Sequence, residues 1–185
     1  MKIVSQKDLE ANLAAQARED GIDLSNADLS DIAWHGLDLS GKTIAMSVLR
    51  GAHFSGAEAL HGCTWIGNRI ENCRFESVST SKADILDCEF KACTVHAMRF
   101  FRVDLSRTTF SSCSFVDVDF SEAVAIRLRF ENCSFVDTRL TKDVLFTGAG
   151  NFEFSAEGKL EIKLRPISKT AANVARTHPS CRWRE

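Results

Sequence analysis

The chain has 185 residues, a formal net charge of −2, thirteen phenylalanines, no tyrosine and only two prolines. That length suits one domain with a real core, and the charge argues against a general nucleic-acid binder, which would carry a basic surplus. No apolar run approaches the ~20 residues of a membrane-spanning helix, and Met1-Lys2-Ile3-Val4-Ser5 lacks the apolar stretch of a secretory signal. A soluble, cytoplasmic protein is expected.

The first element in chain order is a helix. Ser5-Gln6-Lys7-Asp8 has the pattern of a capping box with Asp in place of the usual Glu, and Leu9 and Leu13 come next at helical spacing. Residues 5–19 are read as an amphipathic helix ending at Gly21. A domain of residues 1–20 would then cap the first turn of the rest of the chain.

From residue 21 the chain is a repeat. Starting at Leu24, apolar residues recur every fifth position through Leu29, Trp34, Leu39, Ile44 and Leu49 to Phe54. One extra residue intervenes. The step resumes at Leu60 and runs through Trp65, Ile70 and Phe75 to Leu140 and Leu145, giving twenty-five units of which only Thr80 and Ala125 lack a large apolar side chain. No amphipathic helix or strand has period five, because their periods are 3.6 and 2. The residue two places earlier is mostly small or apolar, and the other three are polar. Each unit therefore turns two side chains inward and three outward.

Units such as Ala27-Asp28-Leu29-Ser30-Asp31, Ala52-His53-Phe54-Ser55-Gly56 and Val118-Asp119-Phe120-Ser121-Glu122 resemble the pentapeptide repeat family. The resemblance covers residues 21–147. It implies an all-β solenoid, a right-handed quadrilateral β-helix with one unit per side and four per turn. Twenty-five units then give about six turns. Turns should stack at the ~4.8 Å spacing of paired strands, and each needs neighbours above and below to bury its interior. Phe90, Phe110 and Phe130 should form one column, and Phe100 and Phe120 another.

Six of the seven cysteines (Cys63, Cys73, Cys88, Cys93, Cys113 and Cys133) fall at the small inward position. Their spacing tracks the repeat rather than a disulfide framework or zinc set, so they are read as core filler in a reducing compartment. His35, His53, His61 and His96 point outward without a completed ligand set. No nucleophile motif, phosphate loop or paired acids appear. No catalytic residue, metal or cofactor is assigned. Outward charges should pair between turns, with Arg69 beside Glu89, and Arg50, Glu71 and Lys91 in a ladder.

One side stands apart. Its outward positions include Met46, Ile66, Leu86, Val124, Ile126, Val144 and Phe146, an apolar stripe of a kind soluble monomers seldom expose. It is read as a dimer or partner surface, or as a surface covered by the chain's own C-terminal segment.

Residues 148–185 change character. Asn151-Phe152-Glu153-Phe154 and Lys159-Leu160-Glu161-Ile162-Lys163-Leu164 alternate about Gly158 like a β-hairpin, and a polar, basic tail comes after Pro166. Residues 146–185 hold seven basic and four acidic residues, a net of +3, against thirteen basic and seventeen acidic, a net of −4, in residues 21–145. The resemblance implies a non-enzymatic scaffold that binds a protein partner or a second copy of itself in a homodimer. Two further family roles are kept open: a DNA-mimicking, topoisomerase (gyrase)-binding protein, and a bacterial secreted effector. The modest acidity weakens the first of these.

Overall fold

The computed structural model describes residues 2–15, 24–30, 32–34, 37–56, 60–120, 122–139, 145–147 and 151–153. Its core is a parallel β-solenoid, and the five-residue period sets its geometry. Every central residue of the repeat from Leu24 to Phe135 is buried. So is the small position two residues before it, apart from the half-buried Leu37 and Lys42 and from positions 22 and 58, which lie outside the described residues.

The strands are short because each side of the turn holds only one unit. The first side stacks Ala27–Asp28, Val48–Arg50, Arg69–Glu71, Glu89–Lys91, Thr109–Ser111 and Arg129–Glu131, all parallel. Five turns separate Asp28 from Arg129 along this ladder. The second side stacks His53–Ser55, Arg74–Glu76, Thr94–Arg99, Ser114–Asp119 and Ser134–Val136. The third carries isolated bridges, Ser79 to Arg99 and Asp119 to Arg139. The fourth stacks Thr43–Ala45, Thr64–Ile66 and Asp84–Leu86, then continues as bridges through Asp104 to Val124. The extra residue before Leu60 is absorbed without loss of register, since Ile44 still faces Trp65 and Leu49 still faces Ile70.

Stacking brings identical residues together. Phe90 and Phe110 lie 4.6 Å apart, Phe110 and Phe130 5.3 Å, and Phe100 and Phe120 4.5 Å, all stacked. A second ladder runs through the small inward position. Ser47 Oγ accepts from Ala27 N at 3.0 Å, Asn68 Oδ1 from Ser47 N at 2.9 Å, and Thr108 Oγ1 from Cys88 N at 3.4 Å. The same side chains donate one turn back, Ser47 to Leu24 O at 2.6 Å, Asn68 to Ile44 O at 2.7 Å and Thr108 to Ile85 O at 2.7 Å. The position is small because the γ or δ atom must reach backbone on the neighbouring turn.

The corners need a left-handed residue, and mostly it is not glycine. Among the described residues fifteen non-glycine residues have φ between 48° and 60°, including Met46, Ala92, Ala97 and Arg107. A side chain in that conformation costs roughly 1–2 kcal/mol, whereas glycine pays only its larger unfolded entropy, about 0.5–1 kcal/mol. The exposed Ala92→Gly change should therefore stabilise the protein by about 0.5 kcal/mol, read as a higher urea midpoint at unchanged slope. A lower midpoint would show that the corner carries no such strain.

At the N-terminus, Lys2–Ile3 pairs in parallel with Ala27–Asp28. Helix α1 spans Gln6–Ala15 within the 5–19 expected from sequence, and residues 16–20 lie outside the described residues. Its polar and apolar residues are only weakly segregated. Ser5 Oγ accepts from Asp8 N at 3.2 Å and donates to the Asp8 carboxylate at 2.6 Å. Leu9 is fully buried, and Gln6 Oε1 accepts from Ala33 N at 2.8 Å.

Two expectations change at the C-terminal end. Leu145 does not continue the five-residue step. Leu145–Thr147 pairs with Arg129–Glu131 so that Phe146, not Leu145, faces Phe130. The turn there is shortened to sixteen residues from Phe130, against twenty from Phe110 to Phe130. The solenoid makes about five turns rather than six. In addition, Asn151–Glu153, expected as the first arm of a hairpin, pairs in parallel with Ser134–Val136 as the next rung of the second side. The expected second arm and the basic tail lie outside the described residues.

Candidate interaction face

The fourth side is built on Ile44, Trp65, Ile85, Leu105 and Ala125, all buried. The backbone zips the residues beyond them into line: Met46 N donates to Ile66 O at 2.8 Å, Gly67 N to Leu86 O at 2.9 Å and Arg107 N to Ile126 O at 2.8 Å. Six large hydrophobics are exposed among the described residues, and four of them (Met46, Ile66, Val124 and Ile126) lie on this side. Ile126 and Met46 are each 62% exposed, Val124 48% and Ile66 37%. Such clustering on one of four sides is not what scattered surface hydrophobics produce.

The stripe is less continuous than the repeat register suggested. Leu86 is half-buried, and Ser106 is 4% exposed with no partner for its hydroxyl among the described residues. Asp87 and Arg107 pair at 2.6 and 2.7 Å in a two-point ion pair beside them. The Arg107 guanidinium holds the Asp87 carboxyl below its ordinary range. Two apolar ends thus flank a charged waist. Met46 Sδ lies close over Gly67, where an added Cβ would meet it at 2.7 Å. Val144 lies outside the described residues. Phe146 is placed elsewhere, on the first side opposite Phe130, because the shortened last turn moves it out of the fourth-side register.

The other sides alternate in charge. Arg69 faces Glu89 at 3.5 Å and Arg50 faces Glu71 at 3.0 Å, with Lys91 next to Glu71 in register. Arg139 reaches Asp119 at 3.5 Å. Pairs this exposed contribute ~0–1 kcal/mol each, so they set solubility and register. Sequence reading missed one cluster. On the second side Glu76 takes Arg74 at 3.0 Å and lies 3.5 Å from His53 and 3.9 Å from His96; His96 is its register partner on the next turn, and His53 is the register partner of Arg74 on the turn before. Even so, among the described residues no three His, Cys, Asp or Glu side chains are arranged to hold a metal ion.

The cysteines at inward positions are all free and buried. Burial pushes the Cys63 and Cys88 thiols up to about 12. They are not merely apolar filler, since Cys88 Sγ donates to Leu86 O at 3.3 Å and Trp65 O at 3.5 Å. Among the described residues no helix is long and apolar enough to cross a membrane.

Comparison with known proteins gives one family match, to pentapeptide repeats, eight copies over residues 104–141. No curated protein matches the chain. Among solved structures, a plasmid-mediated fluoroquinolone resistance protein, QnrB1, is 14% identical, covering 80% of this chain and 89% of its own, with a TM-score of 0.26. HetL, a pentapeptide repeat protein involved in heterocyst differentiation regulation from the cyanobacterium Nostoc, is 11% identical, covering 85% of this chain and 100% of its own, with a TM-score of 0.27. Superpositions at that level carry no argument about this chain.

Proposed function

We propose, from the pentapeptide repeats matched over residues 104–141 and the five-residue register that runs through the described solenoid, that the chain is a non-enzymatic protein-interaction module of the pentapeptide repeat kind whose contact surface is the fourth side. The observation that carries this reading is the concentration there of Met46, Ile66, Val124 and Ile126, four of the six exposed large hydrophobics among the described residues, while the other sides carry ion pairs such as Arg50–Glu71 and Arg69–Glu89.

Size decides what kind of partner fits. Five rungs at ~4.8 Å and a three-residue strand at ~3.3 Å per residue give a face of about 240 Å². A stable interface buries about 800 Å² per partner. A second copy packed flat on this side alone falls well short, so the partner must wrap around a corner onto an adjoining side. A DNA-mimicking role asks for faces dominated by carboxylates. The Arg50–Glu71, Arg69–Glu89 and Arg107–Asp87 pairs interrupt that pattern and favour the scaffold reading.

The test is affinity capture from lysate at low and moderate salt, with the Ile66→Lys, Leu86→Lys double variant as control. Capture that survives salt, and is lost in a variant of unchanged melting temperature, is the expected result. An identical set of captured proteins from parent and variant would remove the fourth side from the account. Capture of a type II topoisomerase that fades with salt would instead favour the mimic.

A further inference from the structure

The fourth side has two corners, and a partner too large for that side must cross one of them. The neighbouring sides differ. On the first, outward charges are taken up in pairs such as Arg69–Glu89 and Arg50–Glu71. The third carries an exposed aromatic ring, Phe101, at 38% exposure the only one of the six exposed large hydrophobics on a side adjoining the fourth.

Phe101 comes after the buried centre Phe100, so the alternation of the strand turns it outward. Arg102 is the left-handed residue, φ 55°, at the corner between the third and fourth sides. Its Cζ lies 5.1 Å from the centre of the Phe101 ring, a cation–π contact. One turn earlier Lys82 holds the same corner with φ 59°, and its backbone N donates to Phe101 O at 3.1 Å. Arg99 is the register partner of Ser79 and of Asp119, and Asp119 is held by Arg139 at 3.5 Å. Lys82, Arg99 and Arg102 are all exposed, and none has an ion-pair partner among the described residues. Three cations on two adjoining rungs thus surround one exposed ring. Acids border them: Glu122 comes next in the corner column, and Asp84 and Asp104 open the fourth-side rungs beyond it.

We propose that the partner of the fourth side crosses the corner at Arg102 and lays an acidic peptide segment on the third side, against Lys82, Arg99 and Arg102, with Phe101 as the apolar anchor. This rests on the fourth side being the contact surface. Exposed ion pairs are individually weak, so the ring and the Arg102 guanidinium supply affinity, and the cations select the partner. The acid border limits the patch to a short segment and repels a long polyanion such as a nucleic acid. The chain's own C-terminal stretch has the wrong sign, since residues 146–185 carry a net of +3.

The experiment places a photo-crosslinking amino acid at Ser81, one rung from Phe101 in the same column, or at Ile126, in the full chain and in the cell that expresses it. Both positions should link to the same protein, and the partner peptide joined at Ser81 should be rich in Asp and Glu. Phe101→Ala with Arg102→Gln should cut both yields at least about fivefold, as for loss of an interface hot spot, at unchanged melting temperature. If that variant melts lower, Arg99→Glu, which leaves the ring and the corner in place, must give the loss at Ser81. Adducts from Ile126 without any from Ser81 would overturn this proposal and leave the fourth-side reading standing. Adducts from Ser81 alone, or from neither position, would overturn both. A Ser81 adduct to nucleic acid, to a second copy of this chain or to a peptide without carboxylates would overturn the acidic partner, as would undiminished yields in the variants.

Discussion

Phe110→Ala should lower stability by about 3–5 kcal/mol, the usual cost of removing a large buried aromatic, and Phe110→Asp should leave no cooperative unfolding transition at all. Phe110 is 1% exposed and touches rings above, below and across the core: Phe90 at 4.6 Å, Phe130 at 5.3 Å, Phe115 at 5.3 Å and Phe120 at 6.5 Å. In a linear stack each turn is held only by its neighbours. A charge on the central column therefore separates the turns on either side of it, where a globular core could repack around the defect. The check is a urea titration monitored by far-ultraviolet circular dichroism. A Phe110→Asp protein that melts like the parent would mean that the column register is wrong.

The second large effect is polar. Asn68 is fully buried, donates to Ile44 O at 2.7 Å and accepts from Ser47 N at 2.9 Å. Asn68→Leu keeps the branched shape, though not the volume, and leaves both backbone groups without a partner, at about 1–3 kcal/mol each. A total loss of about 2–6 kcal/mol is expected in the same titration. Asn68→Cys should be milder, since Cys88 at the equivalent position one turn on still reaches the Trp65 carbonyl at 3.5 Å. If leucine and cysteine proved equally tolerated, the inward ladder would be packing alone, and hydrogen bonding would have no part in it.

The repeat is legible in sequence because its period is neither helical nor strand-like. Counting in fives is enough to align Ile44 with Trp65, Phe90 with Phe110 and Arg69 with Glu89, all of which the structure pairs. The same count fails beyond Arg139, where a turn loses residues and Phe146 takes the place opposite Phe130. A phase defined by its regularity gives no warning of the rung at which regularity stops. The candidate face is legible at Met46, Ile66, Val124 and Ile126, because a strand's alternation sends the flanking residues outward. It is not legible at Ser106, which lies buried while its register equivalents Ile66 and Ile126 are exposed. The Glu76 cluster escapes sequence reading because His53 and His96 flank it from turns on either side, and the inserted residue shifts the count for the first of them.

The most direct test of the interaction account places a photo-crosslinking amino acid at Ile66 and Ile126 on the fourth side, and at Thr94 and Thr109 on the second and first sides, in the cell that expresses the protein. Covalent adducts to the same partner from Ile66 and Ile126, with few from Thr94 or Thr109, are the predicted result. Adducts that form from the first and second sides while Ile66 and Ile126 stay unreacted would contradict it, and would assign binding to the charged faces instead.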